Sequence, residues 1–312
     1  MIQGILLEGL IYGIMVLGVF LTFRILDFPD LTVDGSFPLG AAIMASMIVA
    51  GQPLWFALIV ATFGGVAAGV VTALIHNKLG VPHLLAGILT MTMLYSVNIR
   101  VMGGRANISL IRQHTILSNV NTLMPGLSQD GSNLVFFAVV IVIVMIALNI
   151  FFRMDLGMTM GAMGNNQQMV IATGANPATL KLIGVGMSNG LVAISGAFAA
   201  QYQGFADVNL GQGTIISGLA SVMIGEFLWK SNRISVLTLR VVLGSILFRA
   251  VMYIGRFYGY YINLTPNDLK LITGLLIILS LMITRGRDTM KWLTWNRRND
   301  AAVKASPAGK KR

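Results

Sequence analysis

Cysteine is absent from the 312 residues, which excludes disulfide scaffolds, thiolate metal sites and thiol nucleophiles while leaving the redox compartment open. Charge is nearly as scarce. Asp, Glu, Lys and Arg make up 11% of the chain, where a soluble domain carries about 25%. So few charges cannot keep a globule of this size wetted, and a soluble enzyme is ruled out on that ground. Histidine is confined to His76, His83 and His114, scattered and without carboxylates at ligand spacing. No phosphate-binding glycine loop, HExxH or GxSxG occurs, so the sequence offers no catalytic residues and no means of hydrolysing ATP. A relay of intramembrane carboxylates and histidines, as a proton-driven pump needs, is missing too.

What the sequence has in quantity is apolar residue: 55% hydrophobic, with a mean hydropathy of +0.78. A helix crossing lipid needs about 20 predominantly apolar residues. Nine segments approach that requirement, near 3–23, 36–50, 54–75, 83–102, 133–152, 181–202, 213–229, 235–254 and 269–284. The fold class is therefore an all-α, polytopic transmembrane helix bundle of about nine spans, in a membrane domain over 1–286. The second segment is short and carries Pro38 near its start, which predicts a broken or partly re-entrant helix, because freed backbone groups survive at membrane depth only where protein or a watery cavity satisfies them. The first segment lacks a basic leader and holds Glu8 within its apolar run, so it reads as a retained span. Gly65 with Gly69, Gly186 with Gly190, and Gly255 with Gly259 have the four-residue spacing that lets helix backbones approach closely.

The net charge of +11 is concentrated after the last apolar run, at Arg285, Arg287, Lys291, Arg297, Arg298, Lys304, Lys310, Lys311 and Arg312. Directly behind a span, and interleaved with Trp292 and Trp295, this 287–312 tail suits anionic lipid headgroups rather than nucleic acid. With the N-terminus outside, Arg24, Lys78, Arg153, Lys181, Lys230, Arg233 and the tail share the cytoplasmic side, leaving Arg100, Arg105, Arg112, Arg256 and Lys270 outside. The positive-inside rule favours that orientation, N-terminus out and C-terminus in, provided the number of spans is odd.

Two connections are long. Residues 103–132, rich in Gly, Asn and Ser, are expected as a partly structured outer cap, and 153–180 as a cytoplasmic segment holding a short helix between glycine-marked turns. There is also a repeat. FPDLTVDGSFPLGAAIM (28–44) resembles FADVNLGQGTIISGLASVM (205–223), each leading from Phe-x-Asp through small residues into an apolar helix. The two copies enter from opposite sides on the topology above, which is the trace of an inverted repeat, and transporters built this way run their pathway along the repeat interface.

Polar groups within or beside spans are costly, so each is a functional candidate. Asp30, Asp34 and Ser36 stand at the first re-entrant mouth, and Asp207 and Asn209 at the second; helix capping is the main role expected of them. Asn98, Ser188, Asn189, Gln201 and Tyr202 suit a polar pathway or hydrogen bonds between helices. Thr90, Met91 and Tyr95 suit a pathway wall that adapts to an apolar or aromatic side chain.

The stretch 161–226, from GAMGNNQQMVIATGANPATLKLIG to the glycine-marked GQGTIISGLASVMIGE, resembles the permeases of branched-chain amino acid ABC importers. Ala172, Gly174, Ala175 and Asn176 match the family's cytoplasmic motif, whereas Gly161 stands where the family often has Arg. LTVDGSFPLGAA (31–42) is similar to a subgroup associated with tryptophan- or tyrosine-type substrates and lipoprotein receptors. The resemblance implies a type II ABC importer-like bundle in a bacterial cytoplasmic (inner) membrane, moving a small solute such as a branched-chain or aromatic amino acid. It also implies ABC ATPase subunits, an external solute-binding lipoprotein and a second permease copy as partners. ATP and Mg2+ would be bound on the ATPase and no cofactor by this chain. Residues 153–180 would hold the helix that couples to the ATPase, through Met163, Asn165, Asn166, Gln167, Gln168, Gly174 and Asn176. An ion-driven secondary transporter and an ABC permease for a sugar or nucleoside are the competing readings.

Overall fold

A computed structural model describes residues 2–124, 126–228 and 233–259, together with Leu271, Gly274, Leu275 and Ile278. Helix α1 (Ile2–Phe20) runs on through a π-helical turn (Leu21–Ile25), then α2 (Val33–Val49), α3 (Leu54–Leu79) and α4 (His83–Val101) follow. A cap of strand β1 (Asn107–Ser109) and α5 (Ile116–Leu123) precedes α6 (Gln129–Phe151). Two short helices, α7 (Asp155–Asn165) and α8 (Gln167–Ala172), lead into α9 (Pro177–Gln203). The described chain finishes with β2 (Phe205–Asp207), a 3-10 turn (Val208–Gly211), α10 (Thr214–Leu228) and α11 (Ile234–Gly259).

With the π-helical turn joined to α1 and the 3-10 turn joined to α10, seven helical segments are long and apolar enough to cross a bilayer, and α2 is a further, shorter apolar helix. The expected ninth span, 269–284, lies outside the described residues apart from four helical positions, and the basic tail lies outside them entirely. Helices α1 and α9 form the centre, 78% and 72% buried, whereas α6 is 17% buried and turns Val139, Val142, Ile143, Ile146 and Ile150 outward. An all-apolar outer face is what lipid requires.

Packing around α9 depends on small residues. A Cβ on Gly40 or Gly65 would run into the backbone of Ala193 or Asn189, and one on Gly196 into the carbonyl of Phe37. Gly65 and Gly69 of α3 press on α9, whose Gly186 and Gly190 in turn face Val66 and Val70 of α3. The four-residue glycine spacing read from the sequence therefore marks one tight crossing from both sides.

The expected cytoplasmic helix is two helices. Asn166 interrupts it, leaving the helical conformation and accepting the Met169 N–H at 3.1 Å to cap α8. Asn176-Pro177 begins α9: Asn176 accepts the Ala178 N–H at 2.9 Å and Pro177 takes the first position, where its missing N–H costs nothing. Met160 lies against Gly184, and Gly164 against the Ile25 carbonyl, which pins this segment to the end of the bundle where α1 finishes. At the opposite end β1 pairs antiparallel with β2, Asn107 opposite Asp207.

Helices α2 and α10 do not start at an end of the bundle. Asp27, in the left-handed region at φ 50°, turns the chain back inward after α1, and Ser36 in the first turn of α2 meets Asn189 near the middle of the 27-residue α9. From the other end, 204–213 descends until Gly213, Thr214 and Ile215 meet Asp34. The two helix N-termini thus face one another inside the bundle. Their approaches share one local form: Asp30 accepts the Thr32 N–H at 2.9 Å and Asp207 accepts the Asn209 N–H at 2.7 Å. The two copies of the sequence repeat therefore fold alike and arrive from opposite ends, the arrangement of an inverted repeat.

Candidate functional site

The junction of the two N-termini is held by one carboxylate. Asp34 Oδ2 accepts the Gly213 N–H at 3.0 Å, and Oδ1 accepts the Ile215 N–H at 2.8 Å and the Thr214 hydroxyl at 2.9 Å. Asp34 belongs to the first turn of α2 but caps α10, so a single negative charge serves two helix starts. Each start carries roughly half a positive charge, so the anion and the two dipole ends come close to cancelling. Pro38 has no N–H to give the Asp34 carbonyl, and Gly211 packs directly against that carbonyl, where a side chain would collide. The proline that predicted a break in α2 is thus what admits the second re-entrant segment.

A cavity of about 350 Å3 opens beside this junction, lined by Asp34, Gly35 and Pro38 of α2, Met91, Thr92, Tyr95 and Asn98 of α4, and Val208, Asn209, Gln212 and Gly213. Five of the residues singled out by sequence meet here: Asp34, Met91, Tyr95, Asn98 and Asn209. Asn98 is 1% exposed; its Nδ2 donates to the Gly35 carbonyl at 3.2 Å, and its Oδ1 accepts no hydrogen bond. Gln212 Nε2 donates to Asn209 Oδ1 at 3.0 Å on the opposite wall. Tyr95 is half-exposed and stands at the open side.

A second buried polar group lies deeper. Asn189 Nδ2 donates to Asp30 Oδ2 at 2.6 Å, Ser36 donates to Asn189 Oδ1 at 2.5 Å, and Thr32 shares a hydrogen bond with Thr72 of α3 at 2.7 Å. These bonds tie α2, α3 and α9 together at membrane depth, so Asp30, Ser36 and Asn189 hold helices rather than line the cavity. Ser188 donates to the Gly18 carbonyl at 2.7 Å, Thr90 to Ala86 at 3.0 Å, and Gln201 accepts from Ile116 at 2.8 Å. Tyr202 packs at the edge of the main core. These four make hydrogen bonds or packing contacts within the bundle, and none of them lines this cavity, so Thr90, expected with Met91 and Tyr95 on a pathway wall, is not part of it. Asp207 caps its 3-10 turn and accepts from Asn107 at 3.2 Å.

At the end of the bundle formed by α7 and α8, Asn165, Gln167 and Gln168 are exposed, as are the capping residues Asn166 and Asn176 and the left-handed Gly174 (φ 84°). Met163 differs from its expected place on a partner surface: it is buried with Leu26, Phe28, Met160 and Val170 and anchors the segment. The exposed apolar residues there are Met154, Leu156, Met158, Met169 and Ile171, which sequence reading passed over. Thr92, Val208 and Gln212 of the cavity were passed over too. Only their neighbours carried a polar or aromatic signal; contact across the repeat is what groups them.

The family model described as branched-chain amino acid transport system / permease component matches residues 1–281. The chain is 37% identical over 278 residues, 89% of both sequences, to a tyrosine transport system permease protein of Clostridioides difficile. It is 33% identical over 284 residues, 90% of this chain and 96% of the relative, to an uncharacterized protein of Rickettsia prowazekii. Among solved structures, PsaBC from Streptococcus pneumoniae in complex with Fab matches with a TM-score of 0.52 at 15% identity, covering 89% and 90% of the two chains, which is a likeness of fold. A multi-pass bundle with paired re-entrant segments, matched over nearly its whole length, belongs to the branched-chain amino acid transport system permease family.

Proposed function

We propose that this chain is the membrane-spanning subunit of an ATP-driven importer that carries a neutral amino acid, of aromatic type, into the cell. The observation that carries the reading is the full-length similarity to a tyrosine transport permease, and the cavity at the repeat junction supports it by offering a small, near-neutral, partly aromatic chamber inside the bundle. The chain itself hydrolyses nothing and binds no cofactor. ATP and Mg2+ belong to two ATPase subunits docked on α7 and α8, through Asn165, Gln167, Gln168 and the exposed Met158 and Met169. An external binding lipoprotein delivers solute to the end capped by β1, β2 and α5, and a second copy of this chain completes the pathway.

The mechanical logic follows from the packing. Met160 and Met163 lock the α7–α8 segment to Leu26 and Gly184, so a push on that segment moves α1 and α9 directly. Nucleotide-dependent closure of the ATPase pair then biases the bundle between two openings.

The test is reconstitution of the complete complex in proteoliposomes with labelled L-tyrosine. Uptake should require ATP and persist when the membrane potential is collapsed. Uptake that follows an ion gradient without ATP would replace this reading with a secondary transporter. Orientation is checked separately: the native chain lacks cysteine, so Gln168→Cys should react in intact cells only with a membrane-permeant thiol reagent. Reaction with an impermeant reagent would put the α7–α8 segment outside and remove the docking assignment.

A further inference from the structure

We infer that His76 is a pH-sensitive joint between the ATPase-facing segment and the bundle: its neutral imidazole ties the α3–α4 turn to the base of α9, and protonation at Nε2 breaks that tie and uncouples hydrolysis from uptake. The inference rests on the permease reading above and adds to it a regulation of coupling by the proton concentration on the ATPase side.

The two partners of the ring fix its tautomer. His76 Nδ1 lies 2.7 Å from the Val81 carbonyl, which can only accept, so Nδ1 carries the proton. Nε2 then presents a lone pair, and Lys181 Nζ donates to it at 3.0 Å. An imidazolium holds a proton on both nitrogens, so protonation turns this acceptor into a donor that faces an ammonium. The hydrogen bond is lost and two like charges are left in contact. The other titratable groups around the ring are His83 of α4, with ring centres 5.5 Å apart, Lys78 on α3 itself, and Asp27 in the turn after α1, which acts on His83. Asp30 is taken up by Thr32 and Asn189 deeper in the bundle. Cations therefore outnumber the one carboxylate near His76, and the repulsion stands.

Four elements converge on this imidazole. His76 belongs to the last turn of α3, Val81 to the turn before α4, and Lys181 to the base of α9. Phe28, from the connection between α1 and α2, packs edge-on against His76 with ring centres 5.3 Å apart. The same Phe28 touches His83 at 5.3 Å and shares its core with Met160 and Met163 of α7 and Val170 of α8. A displacement of the α7–α8 segment thus reaches α3 and α4 by two routes, through Phe28 and through the base of α9, and both end on the imidazole. Asn77 Nδ2 donates to the Ala178 carbonyl at 2.9 Å, so α3 and α9 stay in contact when the lysine bond goes. Protonation then leaves slack in the transmission while the bundle remains folded. Imidazole is the one side chain whose ordinary titration falls within the range of cellular pH.

The experiment uses the complete complex in proteoliposomes loaded with ATP, so that only copies with the ATPase inside are driven, and measures L-tyrosine taken up per ATP hydrolysed. Lowering the luminal pH from about 7.5 to about 5.5 should cut that ratio by about threefold or more, because an ordinary imidazole gains its proton over this range. The same change made only outside should leave the ratio unmoved. His76→Gln, whose amide oxygen still accepts from Lys181 but does not titrate, should hold the ratio through the whole range. A smaller fall in the unmodified complex overturns the joint. An equal fall in His76→Gln, or a fall driven from outside, overturns it as well, since the titrating group then lies elsewhere. Lys181→Met removes the donor at every pH and should give the low ratio already at the higher pH; a ratio there matching the unmodified complex overturns the proposal even if His76→Gln fails to assemble. An unmodified complex without ATP-driven uptake at any pH would instead sink the permease reading itself, which keeps the two failures apart.

Discussion

Replacing Asp34 by Ala tests whether one carboxylate holds the two re-entrant segments together. The substitution strips acceptors from the Gly213 and Ile215 N–H groups, both at the start of α10 and both in part-buried bonds. An orphaned buried donor costs about 1–3 kcal/mol. The Thr214 hydroxyl keeps its second acceptor, the Gly211 carbonyl at 3.0 Å, and contributes little to the loss. Removing the anion from two helix N-termini adds about 0.3–1 kcal/mol at each, and relief of the desolvation of Asp34 offsets part of the sum. A net loss of about 3 kcal/mol is expected, which at about 2–4 °C per kcal/mol lowers the melting point by about 6–12 °C. Asp34→Asn should fall midway, because its single carbonyl oxygen still caps Ile215 while its amide meets the Gly213 N–H donor to donor. Heating of the detergent-solubilised protein, followed by size-exclusion chromatography, reads the order directly. An Asp34→Ala protein melting within about 2 °C of the native one would show that the junction is held by other contacts, and the capping argument would fail.

Three further perturbations follow from the same geometry. Changing Asn165, Gln167 and Gln168 together to Ala, while sparing the cap Asn166, should cut ATP-coupled uptake by about tenfold or more with the melting point unmoved, as expected for exposed positions; unchanged uptake would remove the ATPase contact. A double-mutant cycle on Asp30→Ala and Asn189→Leu should give a coupling energy above about 1 kcal/mol in thermal stability, because the two side chains bond at 2.6 Å within one network; additive effects would mean that the bond contributes nothing. Gly40→Leu should abolish the monodisperse protein, since its Cβ meets the Ala193 backbone, whereas Gly4→Leu, with open space around it, should be tolerated; equal yields of the two would refute the close α2–α9 crossing.

Hydropathy located the spans because lipid imposes its requirement on each helix separately, whatever its neighbours do. The bounds of α3 and α4 fall close to the expected ones for that reason. The outer face of α6 is equally direct, since Val139, Ile143 and Ile146 need no partner but lipid. Other signals were ambiguous on their own. Asn189 and Asn98 are the same residue type in apolar helices, yet one satisfies Asp30 and Ser36 and the other bonds the Gly35 carbonyl beside a cavity. Met163 looked like a partner contact and is an anchor, because helical phase alone does not say which face of a short helix the bundle covers.

By itself the sequence determined the solvent, the helical class, the repeat and the family, all properties that local composition and motif can carry. Only the tertiary structure decided that Asp34 caps a helix 180 residues away, that the two repeats meet N-terminus to N-terminus, and that their junction leaves a cavity. The reason is that capping, burial and unsatisfied acceptors are relations between segments, and a residue's share in them is fixed by which backbone the small residues of α2, α3 and α9 allow to come near.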